Sequence, residues 1–381
     1  MTPTQTLQRP PAPLIDIPSV HGGPRAAGAP SAADVRRIVL ASFIGTTIEW
    51  YDFFLYGTAA ALVFNRLFFP NFDPLSGVMA SFATYAVGFF ARPLGGIVFG
   101  HYGDRIGRKS MLILSLLMMG AATSLIGLLP TYASIGVFAP VLLVVLRFIQ
   151  GFGVGGEWGG AVLMAVEHSG EGKRGFTASW PQAGVSVGLL LSTAVFALFA
   201  GLPEEQFLSW GWRVPFLLGI FLVAVGFYIR LNVMESPAFA KAKDEGVSRV
   251  PVLDAIRNHP KEIVIAMGAR FAENVSFYIF SVFVLTYGMQ KGIPQPVLLK
   301  GVLLAAAVEL AAIPLFGMLS DRVGRRPVYM AGAALTGLFA FPFFHLVGTG
   351  STPLVWLAIA FTSNAETFSP GATAGRFWDS S

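Results

Sequence analysis

Nine stretches of about 20 or more mostly apolar residues, the length a helix needs to cross a hydrocarbon core, dominate the chain and decide what it can fold into. They run over 38–64, 76–99, 111–129, 137–164, 177–200, 212–230, 262–288, 297–317 and 328–347. A tenth begins at Leu354 and meets polar Thr362-Ser363-Asn364 after Phe361, too short to cross. In lipid every backbone polar group must be satisfied internally, so stretches of this length form helices. The composition agrees. Only 12% of residues are charged and 54% are hydrophobic, against about 25% charged in a soluble domain. The expected fold is an all-α integral membrane bundle of nine full spans and a partial tenth.

Several function classes fall away at once. The chain has no cysteine, which removes disulfides, thiolate metal sites and cysteine catalysis. Its five histidines lie at no metal-ligand spacing, and neither an ATP-binding loop nor a His-Glu-x-x-His pattern occurs. We therefore expect no enzyme, no metal and no cofactor. The formal net charge of +5 is scattered through short loops, which argues against nucleic acid. The run Gly151-Phe152-Gly153-Val154-Gly155-Gly156-Glu157-Trp158-Gly159-Gly160 is no phosphate loop, because no Lys-Ser/Thr follows it. Its glycines at spacing four read as a close-packing helix face.

Residues 1–33 are rich in Pro, Ala and Gly and read as a disordered tail. They lack the basic start and apolar stretch of a signal peptide, so the first span is expected to be retained. With the N-terminus in the cytoplasm, the loops on that side carry 18 Lys and Arg against four on the other, the bias of the positive-inside rule. A six-helix half is expected over 34–230, a cytoplasmic linker over 231–261, an incomplete second half over 262–362 and an atypical polar end over 363–381.

An internal repeat gives the organisation. Phe99-Gly100-His101-Tyr102-Gly103-Asp104-Arg105-Ile106-Gly107-Arg108-Lys109 and Phe316-Gly317-Met318-Leu319-Ser320-Asp321-Arg322-Val323-Gly324-Arg325-Arg326 both read F-G-x-x-x-D-R-x-G-R-K/R. Each follows the second span of its half, offset by 217 residues (104 to 321) and six spans. An even number of spans makes the repeats parallel. Gly100 and Gly317 allow close helix approach. Asp104 and Asp321 suit a helix N-terminus, and Arg105, Arg108, Arg322 and Arg325 suit carboxylates or helix ends. With Gly107 and Gly324, these residues are expected to act as gates that lock one arrangement and release another.

This doubled motif resembles the signature loop of the major facilitator superfamily. Glu49-Trp50-Tyr51-Asp52-Phe53, Arg92-Pro93-Leu94-Gly95, Arg147-Phe148-Ile149-Gln150-Gly151, the Gly155–Gly160 run, Ser209-Trp210-Gly211-Trp212-Arg213-Val214-Pro215-Phe216 and Glu235-Ser236-Pro237 narrow the resemblance to the metabolite:proton symporter family. That family includes transporters of proline and betaine, shikimate, α-ketoglutarate and citrate. The resemblance implies twelve helices in two halves around a central cavity, and solute–proton symport across a bacterial inner membrane. Its partners would be a small solute, protons and the lipid bilayer, and its working form a monomer. The family pattern adds two further helices after the tenth, and implies that the Asp104 loop clasps the eleventh. The chain accordingly reads as C-terminally truncated, and a non-transporting membrane protein or sensor of the same fold is the alternative.

An ionisable residue inside a membrane is costly and usually faces a cavity, a partner or a task. Glu49 and Asp52 are three apart and share a helix face with Tyr56. Two carboxylates this close resist joint ionisation, which suits one of them to carrying a proton. Arg147, in the fourth span, is expected either to bias those carboxylates or to fork onto an anionic solute; a static partnership with Asp52 is the other reading. Gln150 lies one turn away. Arg92 and the group Arg270, Glu273, Asn274 and Tyr278 complete the expected solute contacts. Arg270 matches position 53 under the 217-residue offset, and Glu309 matches Arg92. Glu309 is left open between packing and function.

Overall fold

The computed structural model describes residues 32–106, 108–155, 174–231 and 260–362, and all regular structure among them is helical. Helix α1 (Ala32–Ala59) passes through a π turn at Ala60–Phe64 and ends over Asn65–Phe68. There follow α2 (Pro74–Ile106), α3 (Arg108–Leu128), α4 (Phe138–Val154), α5 (Arg174–Ala200) and α6 (Arg213–Leu231). Helix α7 (Pro260–Tyr278) continues through a π turn at Ile279–Phe283 into Val284–Gln290. Helices α8 (Gln295–Val323) and α9 (Arg325–Gly348) precede a short apolar α10 (Thr352–Thr362).

Six of these helices, α2, α3, α5, α7, α8 and α9, are long and apolar enough to cross a membrane. A seventh is added if Glu204–Gly211 and Arg213–Ile229, bent by 40°, form one span. The helices overrun the apolar stretches. Helix α8 continues past 317 to Val323, so Asp321 and Arg322 ride on its last turn rather than in a loop. The break falls at Gly324, whose φ of +95° suits glycine alone. The expected tail 1–33, the linker 231–261 and the end 363–381 fall wholly or mostly outside the described residues, as do Gly107 and Glu157.

Two local features are absent from any hydropathy plot. The π turn of α7 recurs within two residues of the place that the 217-residue offset assigns to the π turn of α1. Single π turns inside α-helices gather at functional sites. The second feature is the crossing of α2 and α4, where backbones touch. A Cβ on Gly151 would lie 2.2 Å from the Gly88 carbonyl oxygen, and one on Gly155 would lie 2.0 Å from that of Arg92. The expected glycine face is thus real over its described part, and it brings the arginines of the two helices together.

The buried core follows α1. Phe64 and Phe68 pack against Trp212, just before α6, and Phe64 also against Phe216 of α6, and the Tyr51 hydroxyl donates to the Pro215 carbonyl at 2.8 Å. Arg213 closes the C-terminal end of α3, donating to the carbonyls of Gly127 at 2.9 Å and Leu129 at 2.6 Å. A cation there meets the negative end of the helix dipole. Outside the apolar helices, Asp73 accepts the N–H groups of Leu75 and Ser76 at the start of α2. The hydrogen bonds from Ser76 hold its carboxyl below the usual carboxylate range. Large apolar side chains such as Phe90, Leu338 and Phe341 face outward, as lipid-facing positions do.

Helix α5 packs antiparallel along α8 and parallel along α1. Tyr278 and Phe277 of α7 reach Phe53 and Phe54 of α1. The helices before residue 231 and those after 260 therefore meet along two lines, α5 with α8 and α1–α2 with α7.

Candidate functional site

The centre of the molecule holds two arginines in a nest of aromatic rings. Arg147, on α4, is fully buried. Its guanidinium carbon lies 4.4, 4.3 and 4.7 Å from the ring centroids of Phe53, Tyr56 and Tyr85. Arg92, on α2, lies 4.2 Å from the ring of the same Phe53, 5.1 Å from Phe89 and 5.6 Å from Trp50. Ring faces attract such cations, more strongly where water is excluded. Space for Arg147 depends on Gly88, where a Cβ would stand 2.6 Å from the guanidinium Nε.

Three donor atoms in this nest, Arg92 Nε, Arg92 Nη2 and Arg147 Nη2, are buried without a hydrogen-bond partner. Buried polar groups are nearly always satisfied, and an arginine fork matches a carboxylate. The ring of Tyr278, from α7, closes over the nest at 5.0 Å from Phe89, 5.7 Å from Phe53 and 5.8 Å from Tyr85. Tyr56 contributes its ring, while its hydroxyl is tied to Thr84 at 2.6 Å. Glu273 and Asn274 are half-buried on the preceding turn of α7. The Arg270 side chain lies outside the described residues.

Asp52 and Arg147 do not pair directly. Asp52 is 1% exposed. It lies between α1, α3 and α6, beside Thr123 and close to Gly219, where a Cβ would be 3.2 Å from its Oδ1 and 3.5 Å from the Thr123 methyl. Arg147 Nη1 donates to Gln150 Oε1. Gln150 Nε2 in turn donates to the Thr123 hydroxyl at 2.7 Å. A chain Arg147–Gln150–Thr123 thus ends beside Asp52. Glu49, 2% exposed, lies one turn back on α1.

At the end of the bundle where α5 begins, the second copy of the repeated motif makes a clasp. Asp321 accepts the Gly175 N–H at Oδ1 (2.8 Å) and the Phe176 N–H at Oδ2 (3.0 Å). These are first-turn donors of α5, which have no partner within their own helix and favour a negative charge. Gly317 and Gly175 sit in backbone contact, a Cβ on Gly317 being 2.9 Å from the Gly175 carbonyl oxygen. Arg325 stands 3.9 Å from Asp321. In the first copy, Gly100 lies on α2, and the side chains of Asp104, Arg105 and Arg108 lie outside the described residues.

Sequence reasoning singled out both arginines, Gln150 and Asp52, which the structure places close together. It missed Phe53, Tyr85 and Phe89, which shape the nest, and Thr123, which joins Gln150 to Asp52. An isolated Thr in an apolar span carries no signal of its own; only the approach of α3 to α1 and α4 gives it neighbours.

A bundle of long apolar helices in two contacting sets, closing over a buried cationic nest, has the build of a membrane transporter. The chain belongs to the Major Facilitator Superfamily, whose family model matches residues 42–375. It is 48% identical over 322 residues to the shikimate transporter of Escherichia coli K12, covering 83% of this chain and 74% of that protein. It is 42% identical over 344 residues to the E. coli inner membrane metabolite transport protein YhjE, covering 88% and 78%. The proline/betaine transporter of Salmonella typhimurium is 34% identical over 342 residues, covering 85% and 67%. Among solved structures, the xylose transporter XylE from E. coli, in a partially occluded inward open conformation, superposes with a TM-score of 0.68 at 17% identity. That match covers 90% of this chain and 84% of the other and shows the shared fold. The chain is a membrane transport protein and not an enzyme.

Proposed function

We propose that the chain is a secondary active transporter that carries a small organic acid or zwitterion together with protons across the bacterial inner membrane by alternating access. The observation that carries this reading is the buried chain Arg147–Gln150–Thr123 beside Asp52. It sets a solute-binding cation and a proton-binding carboxylate in one network, so that filling one site changes the electrostatics of the other. Arg92 and Arg147 hold a solute carboxylate through their unpartnered donors, with Tyr278 over it from the second half and Glu273, Asn274 and Arg270 of the same helix as its further contacts. Asp52, with Glu49, takes the proton.

The 48% identity to a shikimate transporter makes a hydroxylated cyclic monocarboxylate the first solute to test, with proline and betaine as the zwitterions. The working unit is a monomer in the bilayer, its N-terminus cytoplasmic as the charge bias requires. It has nine full spans and a partial tenth arranged in two halves, and the proton gradient as its energy source. Membrane vesicles from cells expressing the chain, given labelled shikimate with and without an inward proton gradient, test this directly. Gradient-dependent accumulation is expected; uptake indifferent to the gradient sinks the proton coupling.

The Asp321 clasp is the gate at the cytoplasmic end. Asp321→Asn loses the charge that meets the α5 dipole but keeps one acceptor, a loss of about 1–2 kcal/mol for a partly buried site. The end should open more often, read as faster maleimide labelling of a cysteine placed at Ser179. Unchanged labelling would assign the motif to folding rather than gating.

A further inference from the structure

Glu309 belongs to neither the solute nest nor the clasp. It lies fourteen residues from each end of α8 (Gln295–Val323), at mid-helix. It is 4% exposed, and its Oε2 has no hydrogen-bond partner. It sits on the packed face of α8, between Ala305 and Ile313, both buried. The polar side chain beside it is Ser186 of α5, itself fully buried. The carboxyl group is therefore clamped in the seam where the first and second halves meet.

No charged side chain of the described residues stands at this level on the elements that pack against α8. Helix α5 has none from Gly175 to Ala200, and the Val284–Gln290 segment of α7 has none. Helix α9 carries Arg325 and Arg326 at one end and His345 near the other. On α8 itself, Lys300 is more than two turns away and Asp321 and Arg322 lie at the far end. Without a counter-charge, an ionised carboxylate is poorly accommodated in such a seam, whereas the neutral acid fits it. When α5 and α8 separate, water reaches the same group and the ionised form becomes favourable.

We infer that Glu309 is a second proton-binding site, one whose protonation accompanies closure of the α5–α8 seam. The inference rests on the symport reading for its role in transport, but the site and its link to closure stand on the seam alone. Protonation favours the closed seam and closure favours protonation, since linkage is reciprocal. Asp52 answers to the solute through Arg147; Glu309 answers to the relative position of the halves.

The chain has no native cysteine, so a Ser179→Cys reporter on the α5 face of the seam can be labelled alone. Ser179 is fully buried, and a Cβ on Gly317 would lie 2.9 Å from its own Cβ. Maleimide labelling of the purified protein, normalised at each pH to the unfolded chain, reads seam opening free of thiol ionisation. Labelling should rise with pH in the parent. Glu309→Gln should hold it down at high pH, roughly tenfold below the parent. Glu309→Met, which suits an apolar seam, should do the same, and Glu309→Asp should restore the pH dependence. Equal pH dependence in the parent and both neutral variants, or none in the parent, overturns the inference. In vesicles that accumulate solute, Glu309→Gln should also lower the steady accumulation ratio, and a wild-type ratio counts against a second proton. Uptake that ignores the gradient in the parent sinks the symport reading, and the labelling result still decides the site.

Discussion

Asp52→Asn abolishes gradient-driven accumulation of solute while leaving solute exchange across the membrane intact. The asparagine side chain has nearly the shape of the protonated acid and cannot ionise. It therefore keeps the contact with Thr123 and the packing against Gly219 but removes the charge change that ties the proton to Arg147 through Gln150. A transporter frozen in this form still closes around solute and reopens, so counterflow persists. Net accumulation should fall by about tenfold or more, the loss of at least 1.4 kcal/mol of coupling. The measurement is paired: accumulation under an imposed proton gradient, and exchange at equal pH on both sides. If Asp52→Asn still concentrates solute, the proton travels elsewhere, and Glu49 becomes the residue to replace. If exchange is lost as well, Asp52 supports the fold rather than the coupling.

Arg147→Lys is expected to cost roughly 100-fold in apparent solute affinity, within the 2–5 kcal/mol range for truncating a buried charged partner. The ammonium keeps the charge and loses what the site uses. A guanidinium plane lies against Phe53, Tyr56 and Tyr85 while one nitrogen reaches Gln150 and another remains open to an anion. Lysine cannot do all of this, because it is a point charge on a flexible stem. A companion change separates charge from geometry. Gly88→Val leaves Arg147 in place but drives a side chain into the space of its Nε. It should weaken binding of a carboxylate solute and leave the helix content of the purified protein unchanged. Solute binding to purified protein measures both, and Arg147→Lys binding as tightly as the parent would remove Arg147 from the solute site.

The same residues show how far the sequence could be read. Arg92, Arg147 and Asp52 stand out because a charge in an apolar span is expensive and has to be explained by a partner or a task. The glycines of α4 stand out because their spacing of four leaves few other meanings. Phe53, Tyr85, Phe89 and Tyr278 do not stand out, since an aromatic ring in an apolar span is ordinary. Their meaning comes from converging on two guanidiniums, and no one-dimensional pattern shows that. Thr123 is the clearest case. It lies 27 residues before Gln150 and 71 after Asp52, and it joins them only because α3 packs between α1 and α4. Glu309 was visible as a buried charge, yet its place in the seam between halves depends on α5 lying antiparallel along α8.

The sequence alone determined the medium, the all-helical class and the repeat. These follow from local necessities: backbone groups in lipid must bond within their own segment, and the doubled motif fixes the period. Tertiary structure decided which faces meet. Near-contact of Gly151 with Gly88 set the two arginines together, the packing of α8 along α5 placed Asp321 against the first donors of α5, and the approach of α3 gave Asp52 a polar route to Arg147. Those outcomes depend on helix crossings and rotations, which are set by the packing of side chains from segments far apart in the chain rather than by any segment's own composition.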